Sequence, residues 1–152
     1  MGVGEICSRE VVCVDRIESV ATAAQLMRQH HVGSVVVVEE KAGGRSPIGM
    51  LTDRDIVIAV VAVGLNPDAV TAGDVMSGEL LSVNEDTGIA ETTELMRVRG
   101  VRRIPVTSNR GSLIGIVAAD DVQSLLAEEM SALASIGERA QRRESGFRKS
   151  AP

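Results

Sequence analysis

Apolar and polar positions along the chain keep two different periods. Residues 11–14, 34–39, 48–52, 80–83, 103–107 and 113–118 are short runs rich in Val, Ile and Leu, which predicts six strands. Between them, apolar positions recur at helical spacing. Val20, Ala23, Ala24 and Met27 form one such stripe, and Ile89, Thr92, Thr93 and Met96 form another. Further helices are predicted over residues 53–63 and 119–134. The order is β-α-β-β-α, twice. Gly64 and Pro67 terminate the first half, and Thr71 to Asp74 form a capping box that opens the second.

The halves are copies. With an offset of 69, residues 3–37 align without a gap onto residues 72–106, and ten of the 35 positions are identical. They include Gly4/Gly73, Val14/Val83, Leu26/Leu95, Met27/Met96 and Val37/Val106. Ordinary composition gives roughly two or three matches by chance. Past a longer loop in the first copy the offset becomes 66, which pairs Gly49 with Gly115 and Asp55 with Asp121. The predicted units are residues 1–66 and 71–135, joined by a linker at 67–70 and followed by a basic, flexible tail at 136–152.

Residues 56–63 (Ile-Val-Ile-Ala-Val-Val-Ala-Val) lack a polar face from the first, Ile56, to the last, Val63. A helix apolar all round must be covered on every side. A chain of 152 residues has little to cover it with, so a homodimer with this helix in the interface is expected. Packing within one chain is the alternative. The run is too short to span a bilayer, and no charged leader precedes an apolar segment, so a cytoplasmic protein without a membrane span is expected.

Composition narrows the function. Phe147 is the only aromatic residue, which argues against base stacking on single-stranded nucleic acid. Net charge is −5, divided into +3 from residue 137 onward and −8 before it. An acidic body is a poor general binder of DNA or RNA. Cys7 and Cys13 have neither CxxC spacing nor a disulfide framework. His30 and His31 are adjacent at a helix end, where they do not face one point, so no metal site is predicted. Asp53, Asp55, Asp120 and Asp121 stand at helix starts, where carboxylates are favoured anyway, and no nucleophile or base accompanies them. No residue is assigned a catalytic role.

The candidate chemistry lies in Gly49-Met50-Leu51-Thr52-Asp53-Arg54-Asp55. A strand ends at Thr52, which can cap the following helix, and Asp55 falls three residues on. A hydroxyl, helix N–H groups and a carboxylate so placed suit a phosphorylated sugar. Plain helix capping is the competing reading.

Tandem β-α-β-β-α units ending in G-h-h-[ST]-x-x-D (h apolar) resemble the CBS domain, named after cystathionine β-synthase. Val101-Arg102-Arg103-Ile104-Pro105-Val106 resembles the family's second strand. The runs GMLTDRDIVI and GLNPDAVTAGDVM are similar to small stand-alone bacterial CBS-pair proteins of the hypoxic-response type. The resemblance covers residues 3–126. It implies an α/β fold of α+β type, made of two CBS repeats with pseudo-two-fold symmetry, and two clefts between them. It also implies adenosine-containing ligands: AMP, ADP, ATP or S-adenosylmethionine.

Carried onto this sequence, the resemblance implies that the preferred cleft holds ribose on Asp121 and phosphate on Arg102 and Arg103. Val32, Gly33 and Ser34 line the base, with Val12 behind. Ala118 stands where the motif has a hydroxyl, at a loss of about 1 kcal/mol for one neutral hydrogen bond. The second cleft has Asp55 for ribose, Thr52 for ribose or phosphate, Val101 and Arg102 near the base, and Arg54 beside a phosphate end weakened by Gly33 and Ser34. A regulatory module acting in trans on an unknown effector protein is one reading. A ligand-free dimeric interaction or stress protein that kept the fold is the other.

Overall fold

The computed structural model describes residues 1–149. Two three-stranded sheets form its frame. The first contains β1 (Cys13–Asp15), β2 (Ser34–Lys41) and β3 (Gly44–Thr52); the second contains β4 (Val83–Asn84), β5 (Arg103–Thr107) and β6 (Leu113–Ala118). In each, the first strand runs parallel to the second, which pairs antiparallel with the third. The predicted fold class and the order of elements hold.

Register repeats as well. Val37 faces Gly49 while Val38 faces Pro47, so Ile48 is bulged out of the ladder. Val106 faces Gly115 while Thr107 faces Leu113, which leaves Ile114 in the same position. A bulge bends its strand and adds local twist, and here both copies place it one residue before the motif glycine.

The helices are α1 (Val20–His30), α2 (Asp53–Ile56), α3 (Ala72–Val75), α4 (Ile89–Arg99) and α5 (Ala119–Lys149). Ser19 caps α1, its hydroxyl accepting from the Thr22 N–H at 3.1 Å. His31 ends that helix in the left-handed conformation at φ 54°, as Gly100 ends α4 at φ 64°. The expected stripes point inward at Val20, Ala23, Met27, Thr92 and Met96, all buried. Ala24 and Thr93 are exposed, because they lie at the solvent edge of each stripe. Thr92 tolerates full burial by donating its hydroxyl to the Gly88 carbonyl, 3.0 Å away.

Packing borders do not follow repeat borders. Val3 and Ile6, from the start of the first copy, belong to the core of the second sheet with Ile104, Val106 and Val117. Ala72, Val75 and Met76, from the start of the second copy, pack on the first sheet with Val14, Val37 and Leu51. The motif glycines allow this exchange. A Cβ on Gly115 would lie 2.5 Å from Cys7 Sγ and 2.8 Å from the Ser8 carbonyl; one on Gly49 would lie 2.7 Å from Met76 Sδ. Backbone bonds seal both crossings. Ser8 and Ile116 exchange N–H···O bonds of 2.9 Å, and the Ser77 N–H donates to the Met50 carbonyl at 3.0 Å.

Two helical segments differ from expectation. After one α-turn the apolar helix widens into π-type turns over Val57–Val61, geometry often found at functional sites. At the other end, the helix predicted to stop at residue 134 continues to Lys149. Within the described residues, the segment expected to be a flexible tail is therefore helical. Its Ala, Glu, Gln and Arg are good helix formers, a fact hidden by its lack of apolar period. Residues 150–152 lie outside the described residues.

Candidate functional site

Both motifs build the same turn from strand to helix. At the first, Thr52 Oγ1 accepts from the Asp55 N–H at 3.1 Å, and Asp55 Oδ2 accepts from the Thr52 N–H at 2.9 Å. At the second, Asp121 Oδ2 accepts from the Ala118 N–H at 2.7 Å, but Ala118 has no hydroxyl to return the bond. The capping role of these carboxylates is therefore real at both sites. Each bond uses Oδ2, leaving Oδ1 as a second acceptor on a half-buried side chain. The preceding loops match: the Asp53 N–H donates to the Gly33 carbonyl at 3.0 Å, and the Ala119 N–H to the Arg102 carbonyl at 2.9 Å.

The two clefts are unequal. A cleft of about 540 Å³ is lined by Gly33, Ser34, Met50, Thr52, Asp53, Arg54, Gly100, Val101, Arg102 and Arg103. That volume falls in the range of small-molecule sites. It unites Thr52, Arg54, Val101 and Arg102, expected in the second cleft, and the Gly33 and Ser34 of its phosphate end, with Arg103, expected only in the preferred one. On the opposite side, Val12, Val32, Ser34 and Arg103 line a space of only about 70 Å³ with Glu10, Val11, Val36 and Ile116. Ser34 and Arg103 border both. Asp55 and Asp121, expected to hold ribose, line neither space.

The large cleft is cationic but partly self-neutralised. Arg102 Nη2 lies 3.0 Å from Asp120 Oδ1, both side chains largely exposed. Asp53 holds the Arg54 N–H at 2.8 Å through Oδ1, and its other oxygen would stand 3.2 Å from a Cβ at position 33. Glycine at position 33 therefore keeps that mouth open. Met50, Asp53 and Gly100 were missed as lining residues. Strand alternation could have found the first, because Met50 shares a face with Thr52. Gly100 is placed by the αL end of α4, which brings Val101 into the cleft.

Of the residues outside the cleft, Cys7 and Cys13 have thiols pushed above their ordinary value, chiefly by burial, against lesser opposing effects of Arg9 and Arg45 respectively. Among the described residues no three His, Cys, Asp or Glu side chains gather into a metal-binding cluster. No described helix is long and apolar enough to cross a membrane. The apolar helix divides its surface: Ile56 and Val60 are buried in the chain's own core, while Val57, Ile58, Val61 and Val63 are each more than half exposed.

The CBS domain family model matches residues 3–62 and again 72–128. The chain belongs to the CBS-domain family. It is similar to the uncharacterized protein MK0525 of Methanopyrus kandleri, with 43% identity over 80% of this chain but 61% of that protein. It is 37% identical to hypoxic response protein 1 of Mycobacterium tuberculosis, over 82% of this chain and 84% of that one. The crystal structure of Hypoxic Response Protein I, which has two coordinated zinc ions, superposes with a TM-score of 0.73 at 35% identity, covering 82% of this chain and 98% of that one. The CBS pair of protein MJ0100, solved with 5′-methylthioadenosine and S-adenosyl-L-methionine, shares the fold at a TM-score of 0.71 and 20% identity, covering 85% and 98%.

Proposed function

We propose that this CBS pair is a non-catalytic, cytoplasmic regulatory module that binds an adenosine nucleotide or S-adenosylmethionine and acts in trans on a separate effector protein. The observation that carries this reading is the 540 Å³ cleft with three arginines, a helix-capping hydroxyl and a glycine-opened mouth at one repeat boundary. Arg54, Arg102 and Arg103 supply charge-assisted bonds to a phosphate, each roughly twice as strong as a neutral one. Val101 and Met50 offer apolar surface to a base. Asp55, whose Oδ2 serves the cap, keeps Oδ1 as the acceptor proposed for ribose.

Room and charge favour filling the Thr52 cleft first. The Asp121 cleft, preferred on residue types, keeps Val12, Val32, Ser34 and Arg103 but needs Ile116 or Arg103 to move before an adenosine fits in 70 Å³. The exposed face of the apolar helix at Val57, Ile58 and Val61 is proposed as the homodimer contact. One observation favours the ligand-free reading: Asp120 already occupies Arg102.

A thermal-shift screen with AMP, ADP, ATP and S-adenosylmethionine separates the two. A saturating upward shift of the kind mass action requires supports the sensor. No shift with any of them supports an interaction protein that has given up its ligand.

A further inference from the structure

The two clefts share a wall, and that wall holds one arginine. Ser34 and Arg103 occupy the same position in the two copies, 69 residues apart. Each opens the second strand of its sheet, with Ser34 facing Thr52 and Arg103 facing Ala118 across the antiparallel ladder. Both border the 540 Å³ cleft and also the 70 Å³ space on the opposite side. The copies therefore match here in backbone but not in charge, since the position that is arginine in the second copy is serine in the first.

The two spaces depend on Arg103 to different degrees. The large cleft has Arg54 and Arg102 besides, set against Asp53, and Arg102 is already held by Asp120 at 3.0 Å. The small space has no other base, and its one other charged lining residue is Glu10. Arg103 is exposed and makes no ion pair among the described residues, so its long side chain is uncommitted to either side. An arginine holds a phosphate through a planar fork of N–H donors. Turned to a phosphate in the large cleft, Arg103 leaves the small space with Glu10 alone, which repels a second phosphate. Bridging two phosphates would gather two anions and Glu10 around one positive charge. The same turn withdraws the side chain from the small space and enlarges it, at no loss to an adenosine that carries no phosphate.

We propose that Arg103 is a single phosphate clamp shared by both clefts, which limits the chain to one phosphorylated ligand, held in the large cleft, and leaves the small space to an uncharged adenosine. This rests on the nucleotide-binding reading above and adds the rule for joint occupancy. By linkage the exclusion is reciprocal: a phosphate in either cleft weakens phosphate binding in the other by the same factor. Calorimetric titration of the full chain with AMP, followed by adenosine once AMP is saturating, tests it. One AMP per chain is expected, and then one adenosine. Ser34→Arg, shown by circular dichroism to be folded, gives each cleft its own base and is expected to raise the stoichiometry to two AMP per chain. Two AMP of equal affinity in the parent overturn the sharing. A folded Ser34→Arg chain that still takes one AMP overturns it too. So does adenosine that fails to bind the AMP-saturated parent, because room and not charge would then set the limit; this arm decides the matter should Ser34→Arg not fold. Absence of any AMP binding by the parent is a different result, which removes the nucleotide-binding reading and this rule with it.

Discussion

Asp120→Asn separates two properties that usually move together. The carboxylate lies 3.0 Å from Arg102 Nη2, with the two side chains 62 and 75% exposed. An exposed pair of this kind contributes about 0.2–1 kcal/mol once solvent screening is allowed for. Losing it should lower Tm by no more than about 4 °C in a chain of this size. The same carboxylate competes with any phosphate approaching Arg102. Its neutralisation frees the guanidinium for the ligand, and an interaction of up to about 1 kcal/mol becomes an affinity gain of roughly two- to five-fold. Stability should therefore fall while nucleotide affinity rises. Calorimetric titration and thermal unfolding of the variant, at low and high salt, read both. The gain should shrink as salt screens the charges, and should vanish when Arg102→Ala is already present. Weaker binding by Asp120→Asn, or a gain that survives in Arg102→Ala, would refute competition at this guanidinium.

Other outcomes follow from the paired architecture. Ala118→Thr completes at α5 the reciprocal cap that Thr52 and Asp55 form at α2, and should add about 1 kcal/mol to stability in chemical denaturation. Gly115→Ala drives a Cβ to within 2.5 Å of Cys7 Sγ and 2.8 Å of the Ser8 carbonyl, and should cost about 1–3 kcal/mol by overpacking; an unchanged midpoint would mean that the crossing segment yields freely. Val57→Glu with Val61→Glu places charge on the exposed half of the apolar helix. Light scattering of this variant should report a monomer. The two thiols, raised above their ordinary value in the fold mainly by burial, contribute stability that is present below the unfolded thiol pKa and lost as pH rises above it. Denaturation midpoints should accordingly decline above pH 9 in the parent more than in the double serine variant.

Much of this fold could be read before the coordinates were seen. Residues 103–107 and 113–118 are short runs rich in Val, Ile and Leu, and both strands lie where expected. Thr52 and Thr71 could be recognised as caps because each has an Asp three residues on, and both boxes are present. The exchange of Val3 and Ala72 between sheets was hidden. An internal repeat states that two units are alike but not which unit each opening segment packs against. Gly49 and Gly115 were recognised as motif positions; the backbone and sulfur atoms that require glycine there come from residues far away in sequence. The size of each cleft was hidden for a related reason. Arg103 and Ser34 border both spaces, and residue types alone do not say how such a shared wall divides the volume between the clefts. Lengths differed as well: β3 starts at Gly44 rather than residue 48, β4 covers only Val83–Asn84 of the run expected from residue 80, and at α5 a charged composition concealed strong helix propensity.

The most direct measurement is calorimetric titration of the full chain with the adenosine compound giving the largest thermal shift, repeated on Arg102→Ala with Arg103→Ala. Saturable binding by the parent is expected, with loss of most of that affinity in the double variant and a salt dependence that disappears with the arginines. Absence of binding by every one of the compounds, or equal affinity in parent and variant, would contradict a nucleotide-binding cleft between the repeats.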